Sequence, residues 1–348
     1  MRGQGRFFLV VLVFFCVFLL MLILSIGAAL LNGGLQNAGP NTNNVSVNGT
    51  LEIYFLNVSQ GDSEFIRQGN ATMLVDCGQQ DQGKRIAADL TGLGIFNIDY
   101  LVMTHTDFDH IGGCAEILKD FNVRNVVVDG QQRDTAVYKN TIAALGNRSA
   151  GVAHMGDVIA LGGARLKVVH ANAGSSDPNQ NSIVMKLSFG NFTALLDADC
   201  DSDCEQSLLS EDISAEVLKV PHHGSAYGSS AGFLQKVSPS LAIIEVGKND
   251  YGHPSNGTLE RLAASGARIM RTDLDGTIVL STDGGVPSVS GGGRADAIAN
   301  GEEFIYRSQL PDGPWDKTAF FMGPNYYGPS ELTAGFAMGA LEKYSRPG

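Results

Sequence analysis

Basic residues are scarce in this chain. Its 348 residues include 24 Lys and Arg against 36 Asp and Glu, a net charge of −12. A tight, non-specific nucleic-acid binder needs a basic face, and this composition argues against one. It leaves open an enzyme that holds phosphates through metal ions. Cysteine is sparse too: five residues are too few for a disulfide-scaffold miniprotein. Glycine is abundant, at 43 residues, but without a G-x-y period, which excludes collagen. With 44% hydrophobic residues the chain is too apolar to be disordered. Its length supports one large or two modest domains with a real core.

Charge is absent altogether from Phe7 to Leu31, a run interrupted only by Ser25, Gly27 and a few small residues. Such a run is long enough to cross roughly 30 Å of hydrocarbon as a helix. Residues 1–31 therefore predict a signal anchor, with Arg2 and Arg6 holding the N-terminus in the cytoplasm and everything after Leu31 outside. The small residues Gly27-Ala28-Ala29 keep a cleaved signal peptide, and so a secreted protein, as the alternative. Removing those two arginines leaves residues 32–348 with a charge of −14. Residues 32–50, rich in Asn, Gly and Thr, read as a flexible tether. Glycosylation sequons follow at Asn44, Asn48, Asn57, Asn70, Asn147, Asn191 and Asn256, of which the tether pair is the most accessible. Cys77, Cys114, Cys200 and Cys204 lie beyond the span, an even number in a compartment that permits disulfides. Spacing alone assigns no connectivity, although Cys200 and Cys204 are close enough to pair across one turn; four buried thiols are the alternative.

From residue 51 short β-branched runs alternate with helical stretches. Strands are expected at 51–58, 71–76, 98–104, 125–129, 164–170, 182–189, 192–197, 215–220, 241–246 and 276–281. Helices are expected at 84–93, 112–121, 135–145, 204–210, 229–236 and 256–265. Runs such as LVMT and AIIEV are apolar on both faces, as buried central strands are. Gly190-Asn191 reads as a hairpin turn. The mixture predicts an α/β layered sandwich over residues 51–283. The stretch 284–294 (GGVPSVSGGGR) reads as a linker, and 295–348 as an extension without a second catalytic signature.

The chemistry concentrates in THTDFDHIGG, residues 104–113. His105, Asp107, Asp109 and His110 fall within six residues where a strand gives way to a helix. Four candidate metal ligands on one loop can converge at one mouth of a sheet. Mixed imidazole and carboxylate ligands suit Zn²⁺ first, with Mn²⁺ or Fe as alternatives. Asp199 in LLDADC, His222 and His223 in LKVPHHGS and His170 in KVVHAN all end other apolar strands, where loops gather. Two metals about 3.5–4 Å apart share a hydroxide and clamp attacking and leaving oxygens. By contrast His154 reads as a surface histidine and Trp315 as local packing. Asp201 and Asp203 lack the Gly and distal Glu of a calcium loop.

HTDFDH resembles the H-x-[HD]-x-D-H signature of the metallo-β-lactamase superfamily. Within it, residues 51–283 resemble the periplasmic hydrolase domain of ComEC-type competence proteins. The matching pieces run in order: NVSQGDS, LVDCG, THTDFDHIGG, NQNSIV, LLDAD, LKVPHHGS, NDYGHPS and TDLDGTIVLSTDG. The resemblance implies a four-layer αβ/βα sandwich, a metal site at one edge and hydrolysis. It assigns His105, Asp107 and His170 to one metal, and Asp109, His110 and one of His222 and His223 to the other. His223, beside Gly224, is the favoured member of that pair. Asp199 aligns with the bridging aspartate, and Asp76 with the buried aspartate that props the metal loop. His253 becomes a proton donor or phosphate contact by the same resemblance; from the carboxylates themselves, Asp107 or Asp109 is an alternative general base. Asn181 and Ser182 would order the loop nearby. Two departures stand out: Asp107 replaces the usual second histidine, and Ser59 stands where the family has Gly.

The expectation is thus a membrane-anchored, outward-facing hydrolase using one or two divalent ions. Its substrate is a phosphodiester, with nucleic acid or an oligonucleotide in front and no protein partner. The single apolar span implies no DNA channel. Hydrolysis of a lactone, β-lactam or phosphocholine ester is the alternative within the fold. A non-catalytic surface module stabilised by metal is the alternative outside enzymes.

Overall fold

The computed structural model describes residues 49–171 and 174–291. The expected signal anchor (1–31), the tether as far as residue 48 and the extension 295–348 lie outside those residues. Among the described residues no helix is long and apolar enough to cross a membrane.

Fifteen strands form among the described residues. The first six are β1 (Leu51–Phe55), β2 (Glu64–Gln68), β3 (Ala71–Val75), β4 (Asn97–Met103), β5 (Asn122–Val128) and β6 (Ala150–Val152). Then come β7 (Val158–Leu161), β8 (Ala164–His170), β9 (Val184–Phe189), β10 (Phe192–Leu196), β11 (Val217–Lys219), β12 (Leu241–Ile244) and β13 (Arg268–Arg271). The chain returns to the first sheet with β14 (Ile278–Thr282) and β15 (Ser288–Gly291). Eight strands pair in the order β15-β14-β1-β2-β3-β4-β5-β6, and seven in the order β13-β12-β11-β10-β9-β8-β7.

The helices are α1 (Gly83–Gly92), α2 (Phe108–Ile111), α3 (Cys114–Asp120), α4 (Ala136–Leu145), α5 (Ser202–Leu208), α6 (Ala231–Val237), α7 (Asn256–Ala264) and α8 (Thr272–Asp275). Thr135, Ser230 and Ser255 cap α4, α6 and α7 by accepting the backbone N–H three residues on, satisfying donors that the first turn leaves free.

Three apolar clusters define four layers. Ile53, Phe55, Leu166, Met185 and Phe192 fill the space between the sheets. Ile86 and Leu90 of α1 and Ile117 of α3 cover the outer face of the first sheet. Leu208, Phe233 and Leu262 of α5 to α7 cover the second. This is the αβ/βα sandwich expected from the sequence. The hairpin at Gly190-Asn191 joins β9 and β10, with Phe189 opposite Phe192.

Two expectations need correction. Residues 288–291 are not linker: Ser288–Gly291 pairs antiparallel with β14, and Val289 packs against the core between the sheets. The helix expected over 112–121 starts later, at Cys114, and runs to Asp120; Gly112 and Gly113 before it press against other backbone. A Cβ on Gly113 would stand 2.3 Å from the Cys77 carbonyl, and one on Gly112 2.5 Å from the Gln80 nitrogen.

Candidate metal centre

β3 and β4 are parallel neighbours, so the residues after each emerge side by side. Asp76 follows β3 with φ +54° and turns its carboxylate toward the loop after β4. There Oδ1 accepts the Thr104 N–H at 2.8 Å, and Oδ2 accepts His110 Nδ1–H at 2.7 Å. Thr104 Oγ1 donates to the same Oδ2 and lies 3.1 Å from His105 Nδ1. Asp76 therefore fixes the outer nitrogens of both histidines, His110 directly and His105 through Thr104, and leaves each Nε2 lone pair facing inward. A disulfide joins Cys77 to Cys114, the residues flanking this pair, with Cα atoms 5.2 Å apart. Gly61 also belongs to this construction, since a Cβ there would meet the Asp109 carbonyl at 2.4 Å.

The second sheet delivers its groups in the same manner. β10, β11 and β12 are parallel and in register, with Leu196 beside Lys219 and Lys219 beside Ile243. Asp199, the His222-His223 pair and Glu245 thus emerge at one edge. His222 and His223 both adopt left-handed φ, +49° and +53°, a conformation that turns two consecutive rings toward the site. His223 Nδ1 donates to the Glu245 carbonyl at 2.9 Å, so its Nε2 also faces inward. A Cβ on Gly224 would stand 2.6 Å from Pro254 Cβ. That close approach brings His253 within 5.3 Å of the His222 ring and 6.4 Å of His223, centroid to centroid.

The two sets meet at Asp199. Its Oδ1 lies 3.2 Å from His110 Nε2. Its Oδ2 lies 3.7 Å from both His222 Nε2 and His223 Nε2 and 4.0 Å from His105 Nε2. Asp107 Oδ2 is 4.0 Å from His105 Nε2, and Asp109 Oδ2 is 3.5 Å from His223 Nε2. Asp109, His110 and His223 each offer a ligand atom within 4.8 Å of the others.

Residues 56–178 match the family described as the metallo-beta-lactamase superfamily. That match takes in Asp76 and the His105–His110 loop. ComE operon protein 3 of Bacillus subtilis is 31% identical over 259 residues, 65% of this chain and 32% of its own length. Competence protein ComA of Neisseria gonorrhoeae is 30% identical over 224 residues, 63% of this chain and 30% of its own. The chain thus spans about a third of the length of these two relatives. Among solved structures, CmlA, a diiron beta-hydroxylase from Streptomyces venezuelae, aligns over 67% of this chain and 54% of its own, with TM-score 0.46 and 14% identity.

The side chains of this site fit one or two metal ions. Nε2 of His105, His110 and His223 and Oδ1 of Asp199 are buried without a hydrogen-bond partner, a costly arrangement unless something occupies the space between them. Charge points the same way. Burial opposes ionisation of His110 and His223, yet the surrounding carboxylates, Asp199 first, raise His110 well above the ordinary range and His223 to about 10. Burial also opposes the charge on Asp199, and His110, His223 and His222 hold its pKa well below normal all the same. The cluster demands positive charge, which divalent cations supply. His105, held down to about 3 mainly by burial, presents the neutral ring that a metal needs.

His170 is the sequence candidate that the geometry removes. Its Nδ1 meets Ser207 Oγ at 2.8 Å and its Nε2 the Gln180 carbonyl at 3.1 Å. β9 lies between β8 and β10, so His170 stands two strands, roughly 10 Å, out from the strand that carries Asp199. His170 does end its strand, but sheet order sets it apart from Asp199. Asn181 bonds both ways to the Ser175 backbone and donates to the Asp177 carbonyl, ordering the loop beside the site. Ser182 is fully buried, and its hydroxyl has no partner. Asn249 braces the His253 loop through bonds to His253 N–H and C=O.

Sequence reasoning missed the layer beneath. Lys219, fully buried, pairs with Asp62 and donates to the Ala198 carbonyl at 2.9 Å. Asp62 Oδ1 in turn lies 3.2 Å from His223 Nδ1. Glu245 Oε1 accepts the Ser63 N–H at 3.1 Å. Burial, then the charge of Asp62, raises Glu245 to about 8. The available signal was a single ionisable residue in an otherwise apolar strand, Lys in VLKV and Glu in AIIEV.

Proposed function

We propose that this superfamily hydrolase is a membrane-anchored, outward-facing metal-dependent phosphodiesterase acting on nucleic acid or oligonucleotides. The observation that carries the catalytic reading is Asp199, one carboxylate at the meeting point of four imidazoles whose outer nitrogens are largely held elsewhere. One or two divalent ions, Zn²⁺ first and Mn²⁺ second, would supply Lewis acidity and a nucleophilic water near neutral pH. His105 and Asp107 would hold one ion, Asp109, His110 and His223 the other, with Asp199 between them. Asp76 keeps the His105–His110 loop in the productive tautomers. Burial, then the His222 and His223 charges, hold His253 down to about 4. A neutral ring still carries one N–H, with which His253 would contact a phosphate oxygen of the substrate.

The substrate class is supported by the motif resemblance and by a relative named for competence. The excess of acid fits short strands better than long duplex. Disulfides Cys77–Cys114 and Cys200–Cys204 suit an oxidising compartment, consistent with an outward orientation after the Phe7–Leu31 run.

The test is hydrolysis of single-stranded DNA and of a chromogenic bis-aryl phosphodiester by the full chain in detergent, with Zn²⁺ or Mn²⁺, against Asp109→Ala. Turnover lost in the variant supports the reading. No turnover on either substrate, with metal bound and the fold intact, overturns it.

A further inference from the structure

A cavity of about 180 Å³ opens beside the metal centre, between α4 and the ends of β4 to β6. Its volume is small against the roughly 300–1,000 Å³ of pockets for drug-sized ligands, so it suits a single ring-sized group. Met103, Val128 and the Tyr138 ring make apolar walls, and Ile142 of α4 borders it. His105 and Thr106 form another part of the wall. Those two residues also belong to the metal loop, so whatever fills the cavity lies beside the centre. Arg133 stands at the same side, its Nε donating to Thr106 Oγ1 at 3.3 Å.

Hydroxyls of Thr106, Tyr138 and Thr141 share its lining, but the unmet side-chain groups at its border, the metal-facing His105 Nε2 aside, are two acceptors. Asp129, only 3% exposed, borders it. One of its oxygens accepts the Gln131 N–H at 3.1 Å, and the other, Oδ2, has no partner. Gln131 also borders the cavity, and its Oε1 is buried and unpartnered. Its amide cannot be turned round to donate there, because Nε2 is committed to the Ser175 carbonyl. Two unmet acceptors beside apolar walls are costly alone. A flat ring carrying an N–H₂ group would meet both requirements, burying its faces against the walls and donating to Asp129 and Gln131.

We propose that this cavity is a base-recognition subsite taking one amino-bearing nucleobase of the substrate, with cytosine the matching single ring. The proposal rests on the phosphodiester reading above and adds which part of the substrate is read, and by what. Uracil has the same ring but places a carbonyl where cytosine has its amino group. It would set an acceptor against Asp129 and Gln131.

The test compares three esters of p-nitrophenyl phosphate, those of cytidine, uridine and methanol, which release the same leaving group. The full chain in detergent should hydrolyse the cytidine ester with kcat/KM about tenfold above the uridine ester, the equivalent of one buried hydrogen bond. Ile142→Trp, which fills the cavity from its partly exposed rim, should remove that preference through KM and leave the methyl ester within about twofold. Equal rates for cytidine and uridine esters, or an equal loss on all three in Ile142→Trp, would falsify the subsite. If the unmodified chain cleaves none of the esters, the phosphodiester reading falls by itself. Calorimetric titration with cytidine and uridine then decides the subsite. Binding of cytidine that Ile142→Trp abolishes supports it, and no heat with either nucleoside overturns it.

Discussion

The two sheets contribute to the metal centre in different ways. The first places His105, Asp107, Asp109 and His110 on one loop and steadies two of them through the single side chain of Asp76. The second spreads Asp199, His222 and His223 over separate loops. It steadies His223 through a backbone carbonyl and the site's floor through a buried cation, Lys219. A loop that carries its own ligands needs one polar support. Ligands brought together from several strands depend on strand register and on charge buried beneath them. The Lys219–Asp62 pair joins the two arrangements, since Asp62 comes from the first sheet's side and Lys219 from the second.

The largest expected effect comes from breaking that joint. Lys219→Met leaves Asp62 as an uncompensated buried charge, which costs about 3–5 kcal/mol. Thermal unfolding should show it as a large fall in Tm. Adding Asp62→Asn should restore part of the loss, and a double variant no more stable than Lys219→Met would refute the coupling. Next in size, Asp76→Asn should weaken metal binding by about 10–100-fold in a chelator competition. Glu245→Gln should do less, because His223 leans on the Glu245 carbonyl, which the substitution keeps. Equal losses would erase the asymmetry between the sheets.

A smaller effect is expected beside the first sheet's loop. Burial raises Asp129 to about 6, above the roughly 3.9 of an unfolded chain. The folded state therefore holds the extra proton between those values, and stability falls as pH rises through the window. Asp129→Asn should raise stability at pH 7.5 by at most about 2–3 kcal/mol, with the gain gone below about pH 4. A gain that persists at low pH would contradict the assignment. Smallest of all, His170→Ala should leave metal stoichiometry unchanged and cost about 1 kcal/mol of stability from its lost hydrogen bonds. Loss of one metal equivalent would return His170 to the centre.

Four ligands in six positions were legible because local density needs no tertiary knowledge. Asp199 and the two adjacent histidines were legible because apolar runs mark strand ends. His170 met the same criterion, but only sheet order separates it from Asp199. Lys219 escaped because an isolated charge in a strand ordinarily marks its solvent face, and Glu245 because it sits at the end of a run whose other residues are apolar. Whether such a charge is buried depends on a partner, and Asp62 is 157 residues from Lys219. β15 escaped because its Ser and Gly residues give almost no alternating signal, while one half-buried Val289 suffices to seat it.

The distance between Lys219 and Asp62 also has a consequence in time. Chains fold largely as they emerge, N-terminal parts first, at about 5–20 residues per second. The His105–His110 loop is thus made well before Asp199, and Asp62 waits longer still for its lysine. Even the first sheet is incomplete until β14 arrives to pair with β1. Until β7 to β13 are made, Ile53, Phe55 and Ile66 have no second sheet to pack against. Unfinished chains would therefore present an apolar face to solvent, and synthesis of this protein should depend on chaperones that shield it.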